Sequence, residues 1–170
     1  MTYYGAGGYP TCVIDGAESI VGGSSATYGR YLAAYDNRRN APSPLSVQFR
    51  THSYAGDKAS VSVTVKLEEN LAEGHVCHIV LWEDKVAGNY RFVERRMPQY
   101  EVLTVTKKGQ EQTIKRTFTL DAGWNKANLG VSAFVQKFAT REILNGRATK
   151  LVEGVAVVPT SLGRVKALFN

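Results

Sequence analysis

The sequence predicts a mainly β chain: an antiparallel sandwich preceded by a β-hairpin and a single helix. Three observations carry this. After Pro44, apolar and polar residues alternate with a period of two in one short run after another. Turn signals such as Lys107-Lys-Gly-Gln110 and Ala139-Thr140 punctuate those runs. Only the stretch before Pro42 carries the three- and four-residue apolar spacing of a helix.

The elements follow in order. Met1 to Gly8 reads as a loop. Thr11-Cys-Val-Ile-Asp15 and Glu18-Ser-Ile-Val21 read as two strands around Asp15-Gly16, a hairpin signal. Ser24 to Asn40 reads as the helix. Ser24 or Ser25 is placed to cap it by accepting from an early backbone N–H. Tyr28, Tyr31, Leu32 and Tyr35 line its apolar face, Arg38 and Arg39 suit the negative end of its dipole, and Pro42 and Pro44 stop it.

Beyond it, Leu45, Val47 and Phe49 alternate with Ser46, Gln48 and Arg50. Ala59, Val61, Val63, Val65 and Leu67 alternate with Ser60, Ser62, Thr64 and Lys66. His75 to Glu83 is more uniformly apolar and suits a central strand. Asn89–Met97, Val102–Thr106, Gln112–Leu120, Leu129–Gln136 and Glu142–Ala148 complete the set. A run Val155-Ala-Val-Val158 reads as strand-like, and Ser161 to Phe169 as a short amphipathic helix or a docking tail. Seven or more short strands without a βαβ alternation point to an immunoglobulin-like sandwich.

At 170 residues the chain fits one domain, or one domain with a short arm. Hydrophobic residues at 44% can build a core, and charged residues at 21% argue against wholesale disorder. No apolar stretch exceeds strand length, so no helical membrane span is expected. No signal-peptide pattern follows Met1; the expectation is that it lies upstream, in a longer protein. The net charge of +6 admits a polyanionic partner without naming one, since a basic surface is ordinarily just solvated.

No catalytic constellation stands out. His75, Cys77 and His78 are close in sequence, but on a strand His78 faces away from the other two, so the set is too small for zinc. His52 is the only other histidine. Cys12 and Cys77 either form a disulfide or serve as buried thiols. Glu68-Glu69 and Glu83-Asp84 sit at strand ends, where acids are usually solvated. Arg91, Arg95 and Arg96 mix with aromatics in Tyr90–Arg96, and Lys107 and Lys108 add charge nearby. These five form a candidate polyanion surface, tempered by the interspersed Glu94, Glu101 and Glu111. Trp124, in Asp121-Ala-Gly-Trp-Asn125, is expected to pack at the sandwich rim. No cofactor is implied, and no nucleic-acid motif is present.

Several stretches resemble bacterial cell-envelope proteins of the outer-membrane lipoprotein type, which join a thioredoxin-like domain to an immunoglobulin-like sandwich. They include Tyr3-Tyr4-Gly5…Gly8-Tyr-Pro-Thr11, Val13-Ile-Asp-Gly16, Ile20-Val-Gly-Gly23, Ser43-Pro-Leu-Ser46, Val80-Leu-Trp-Glu-Asp84, Val93-Glu-Arg-Arg-Met-Pro98, Phe118-Thr-Leu-Asp-Ala-Gly-Trp-Asn125 and Ala133-Phe-Val-Gln136. The resemblance implies that Pro10 is a cis-proline and that residues 1–42 are the closing β-β-α piece of a thioredoxin-like fold. Residues 43–150 would be the sandwich and 151–170 a C-terminal extension. It implies no redox activity, because the paired-cysteine motif is missing.

The expected function is that of a non-catalytic structural or protein-interaction domain of a cell-envelope or extracellular protein, self-associating through open strand edges. The alternatives are a glycan- or polyanion-binding module and a thiol–disulfide oxidoreductase remnant. The β-β-α piece is expected to pack on the sandwich or on another chain, because its strand edges and apolar face need cover.

Overall fold

The computed structural model describes Tyr4, Gly5 and residues 7–154. The expected elements at Val155–Val158 and Ser161–Phe169 lie outside the described residues. The chain opens with a hairpin, β1 (Thr11–Ile14) and β2 (Glu18–Val21), followed by the helix α1 (Ser25–Arg39). Nine further strands follow: β3 (Leu45–Ala55), β4 (Lys58–Leu67), β5 (His75–Glu83), β6 (Val93–Arg96), β7 (Glu101–Val102), β8 (Glu111–Thr119), β9 (Leu129–Lys137), β10 (Ile143–Lys150) and β11 (Val152–Glu153).

They form two sheets. One has the order β11-β3-β4-β8, the other β10-β9-β5-β6 with β7 also on β5. All pairings are antiparallel except β11 with β3. Lettered in chain order, β3, β4 and β8 are strands A, B and E. They face C′ (β6 and β7), C (β5), F (β9) and G (β10), which is an immunoglobulin-like arrangement.

The period-two pattern places the core. Val61, Val63 and Val65 of β4 and Val47 of β3 turn inward against Cys77, Ile79 and Leu81 of β5 and Val131, Ala133 and Val135 of β9. Their neighbours Ser60, Ser62 and Thr64 form a hydroxyl-rich outer face with Thr113 and Thr117 of β8. β5 is buried on both faces. Of its outer row, Val76, His78 and Trp82 are under 10% exposed and Val80 is half-buried, which accounts for its uniformly apolar sequence.

Three expectations require correction. Ser24 Oγ lies 3.2 Å from Thr27 Oγ1 and makes no side-chain cap to the helix backbone. The helix does not bury the predicted apolar face: Tyr28, Leu32 and Tyr35 are 68%, 45% and 54% exposed. It packs instead through Thr27 and Ala34, with Tyr31 donating to Gly22 O at 2.5 Å. Small residues let the helix lie close on a two-stranded hairpin too narrow to cover tyrosines. Finally, the strands predicted over Asn89–Met97 and Val102–Thr106 shrink to Val93–Arg96 and Glu101–Val102. Left-handed residues at Lys85, Ala87, Gly88 and Phe92 coil the preceding segment into a loop.

The hairpin and helix are pinned to the sandwich at the β9–β10 turn. Arg38 reaches Glu142 at 2.9 Å and Asp15 at 3.4 Å, and Ile143 N donates to Asp15 O at 2.7 Å. Gln136, fully buried on β9, donates to Tyr4 Oη and to Arg141 O. Gly16 sits at the contact: a Cβ there would lie 1.8 Å from Arg141 O, and its φ is +67°. Gly16→Ala is therefore expected to loosen this joint while leaving the sandwich intact. Hydrogen exchange should rise across residues 11–39 and stay unchanged in β4 and β5. Equal acceleration everywhere would place Gly16 in the cooperative core.

Candidate functional site

The outer face of the β10-β9-β5-β6 sheet carries a connected set of rings. His78 stacks on Phe134 at 4.9 Å and meets Tyr100 at 5.6 Å, and Tyr100 meets Phe138 at 5.3 Å. Burial holds His78 below the ordinary imidazole range, partly opposed by its hydrogen bond with Gln136. At the other end of β5 the Trp82 ring lies across Gly130, where an added Cβ would come within 2.2 Å of it, and Trp82 Nε1 donates to Ser132 Oγ at 3.0 Å. Phe92 stands edge-on to Trp82, 5.2 Å between centroids and 81° between planes.

Between these groups lies an apolar cleft of about 490 Å³, lined by Val80, Trp82, Phe92, Glu94, Phe134 and Ala148 among others. Phe92 is 59% exposed and has a φ of +52°. An exposed aromatic in the left-handed region is strained, and such strain persists only where surrounding contacts impose it. Asp84 imposes it here. Its carboxylate takes a two-pronged bond from Arg91, at 2.5 and 3.1 Å, and bonds from the backbone of Lys85 and Phe92. The Arg91 guanidinium, and then these backbone donors, hold the Asp84 carboxyl below its usual range. Val86 and Tyr90 close the loop with reciprocal backbone bonds.

The predicted polyanion surface does not assemble. Arg91 belongs to Asp84, and Arg95 is bound to buried Glu83 at 2.7 Å, whose other oxygen accepts from Asn125 N. Arg95 and Arg96 flank half-buried Trp124 at 5.6 and 5.1 Å from its centroid, so this tryptophan packs at the rim. Lys107 and Lys108 lie at the opposite end of the sandwich, beside Asn70 and Gln110. The nine residues of β5 separate the two groups, roughly 26 Å at ~3.3 Å per residue.

The remaining sequence candidates are also dispersed. Cys12 and Cys77 are separate free thiols, Cys12 half-buried on the hairpin and Cys77 in the core. Burial pushes the Cys77 thiol up to about 12. His75 is buried with Nδ1 2.8 Å from Ala72 O, while His78 points to the outer face. Among the described residues no group of three or more His, Cys, Asp or Glu is placed to hold a metal. The Tyr9–Pro10 peptide is cis. No described helix is long and apolar enough to cross a membrane.

No protein-family model and no curated protein matches the chain. Among solved structures it is similar to a domain of the outer membrane lipoprotein Omp28 from Porphyromonas gingivalis. They share 18% identity and a TM-score of 0.51, over 68% of this chain and 93% of that one. It is also similar to part of a beta-glucosidase from Kluyveromyces marxianus, at 15% identity and TM-score 0.39 over 65% of this chain and 14% of that one. A beta-glucosidase from Listeria innocua gives 18% and 0.42 over 68% and 17%. The first likeness shows the β-sandwich fold and nothing about activity; the two glucosidases are too distant to support any argument.

Two measurements check this geometry. A thiol reagent is expected to modify Cys12 in the native protein and Cys77 only in denaturant; prompt reaction of both would contradict the burial of Cys77. The pKa of Asp84 is depressed on folding, so its support of the loop is present above the ordinary carboxylate range near ~3.9 and is lost as pH falls through its lower folded value. The Phe92 ring signals should therefore broaden in acid, and Asp84→Asn should produce that broadening already at neutral pH.

Proposed function

We propose that this chain is a non-catalytic structural or protein-interaction domain of a bacterial cell-envelope or extracellular protein, and that the Trp82–Phe92 cleft is its docking surface. One observation carries the reading: the fold holds an exposed aromatic ring in a strained backbone conformation over an apolar cleft. In the isolated chain that strain is met only by the edge contact of Phe92 with Trp82, whereas a partner side chain entering the cleft would bury Phe92 on its open side.

The residues divide the work. Gly130 leaves room for the Trp82 ring, Ser132 fixes it, and Asp84 with Arg91 sets the loop that presents Phe92. Glu94 supplies a charge at the rim. A further contact area lies on α1, where Tyr28, Leu32 and Tyr35 form an uncovered stripe. That stripe fits the reading of residues 1–42 as the end of a thioredoxin-like fold, whose earlier half would lie against it. The likeness in fold to an outer membrane lipoprotein domain supports an envelope setting. β8 and β10 end their sheets and offer edges through which copies could associate.

A photoreactive amino acid at position 92, introduced in the host bacterium, is expected to give a discrete protein adduct. Its mass would tell a second copy from a different partner. The same group at position 108 serves as the distant control. Adducts confined to lipid, or equal yields at both positions, would remove the cleft as a protein-docking surface.

A further inference from the structure

The two sheets leave an open flank between β3 and β10, on the far side of β10 from the Trp82–Phe92 cleft. The strands run alongside each other in the same direction without a backbone ladder. They are bridged twice: Asn145 Nδ2 donates to Leu45 O at 2.8 Å, and His52 Nδ1 lies 3.0 Å from Lys150 O. Between the bridges the flank opens into a groove of about 290 Å³ lined by Gln48, Phe49, His52, Arg147 and Thr149.

The strands that wall this groove are basic, with Glu153 of β11 the acidic residue paired against β3. Strands β3, β4 and β10 carry Arg50, Lys58, Lys66, Arg147 and Lys150, and no Asp or Glu. Arg50 and Arg147 are exposed, and neither makes an ion pair among the described residues. Arg50 is not part of the groove's lining: its Nε lies 3.3 Å from Thr64 Oγ1 on β4, and Thr64 is the cross-strand partner of Gln48. Asp15, which borders the other flank of Arg147, is engaged by Arg38. Arg91, Arg95 and Arg116 are each matched by a carboxylate. Arg30 of α1 and Arg96 of β6 also make no ion pair among the described residues, so Arg147 is set apart by lining the groove.

The groove also holds a neutral set of contacts. Phe49 presents its ring beside His52, 6.0 Å between centroids at 73°, and Gln48 and Thr149 supply an amide and a hydroxyl. An aromatic face for ring C–H groups, short polar side chains for hydroxyls and a guanidinium for a carboxylate are the complement of an acidic sugar. The two bridges close the ends, so the hollow takes a sugar-sized group but blocks the continuous backbone pairing that an added peptide strand needs.

We propose that the β3–β10 groove binds carboxylate-bearing sugars of an acidic glycan, with Arg147 on the carboxylate and Phe49 beside the ring.

The test is titration of the full chain with a uronate oligosaccharide at about 0.15 M salt, where the screening length is about 8 Å. Arg147→Glu should weaken binding about ten-fold or more, roughly 1.4 kcal/mol. Lys108→Glu alters net charge equally outside the groove lining and should change affinity less than about two-fold, as expected for screened charges. Gln48→Ala, at an exposed position, should weaken binding without touching charge. Carboxyl-reduced oligosaccharide should bind poorly. Equal losses in both charge-reversed variants would reduce the effect to net charge and overturn the proposal. So would absence of binding by the native chain, or undiminished binding of the reduced sugar. Polyglutamate binding as tightly, with the same sensitivity to Arg147, would assign the groove to an acidic protein and overturn the glycan. None of these outcomes depends on the Trp82–Phe92 cleft.

Discussion

The double burial of β5 is the constraint on which the rest of this structure depends. Its inner row of Cys77, Ile79 and Leu81 locks the two sheets together. In its outer row Val76, His78 and Trp82 are buried as well, so that face had to be roofed. The roof is built from what the chain has nearby: Phe134 from β9, Phe92 from the loop before β6 and Tyr100 before β7. The aromatic cleft is the place where that roof stops short. Burial of large apolar surface drives the arrangement, at about 25 cal/mol per Å² removed from water, and the incomplete part of it is where another molecule can gain the same benefit.

The attachment of the hairpin and helix follows a different physics. Apart from the Gly16 contact, the described bonds across the joint are polar: Arg38 to Glu142, Asp15 to Ile143, Gln136 to Tyr4. Exposed or half-exposed ion pairs contribute little each, while close backbone contact makes the joint geometrically exacting. The hairpin and helix are therefore positioned by fit more than by apolar adhesion, which leaves the tyrosine stripe of α1 facing outward.

The sandwich was legible in the sequence because one-face burial imposes alternation, and Val61-Ser62-Val63-Thr64-Val65 shows it without ambiguity. The helix was legible from its spacing, yet its packing face was not. Thr27 and Ala34 signal nothing by hydrophobicity, and their burial follows from the narrowness of the hairpin beneath them. The charged site misled for a related reason. Arg91 and Arg95 look free along the chain, but their partners Asp84 and Glu83 lie seven and twelve residues earlier and meet them only after the loop folds back. The β3–β10 groove left no local mark, since its walls are about 100 residues apart, and β11 is too short to carry a period.

The parallel pairing of β11 with β3 gives the domain a mechanical character. Val152 and Glu153 lie beside Ser53 and Tyr54, and the two bridges tie β10 to the same strand. A pull that draws Leu45 one way and Gly154 the other runs along these strands instead of across them. It would load the β11 ladder and both bridges together in shear, where no bond can break before its neighbours share the force. Such a geometry suits a domain that has to transmit tension along the chain without coming apart strand by strand.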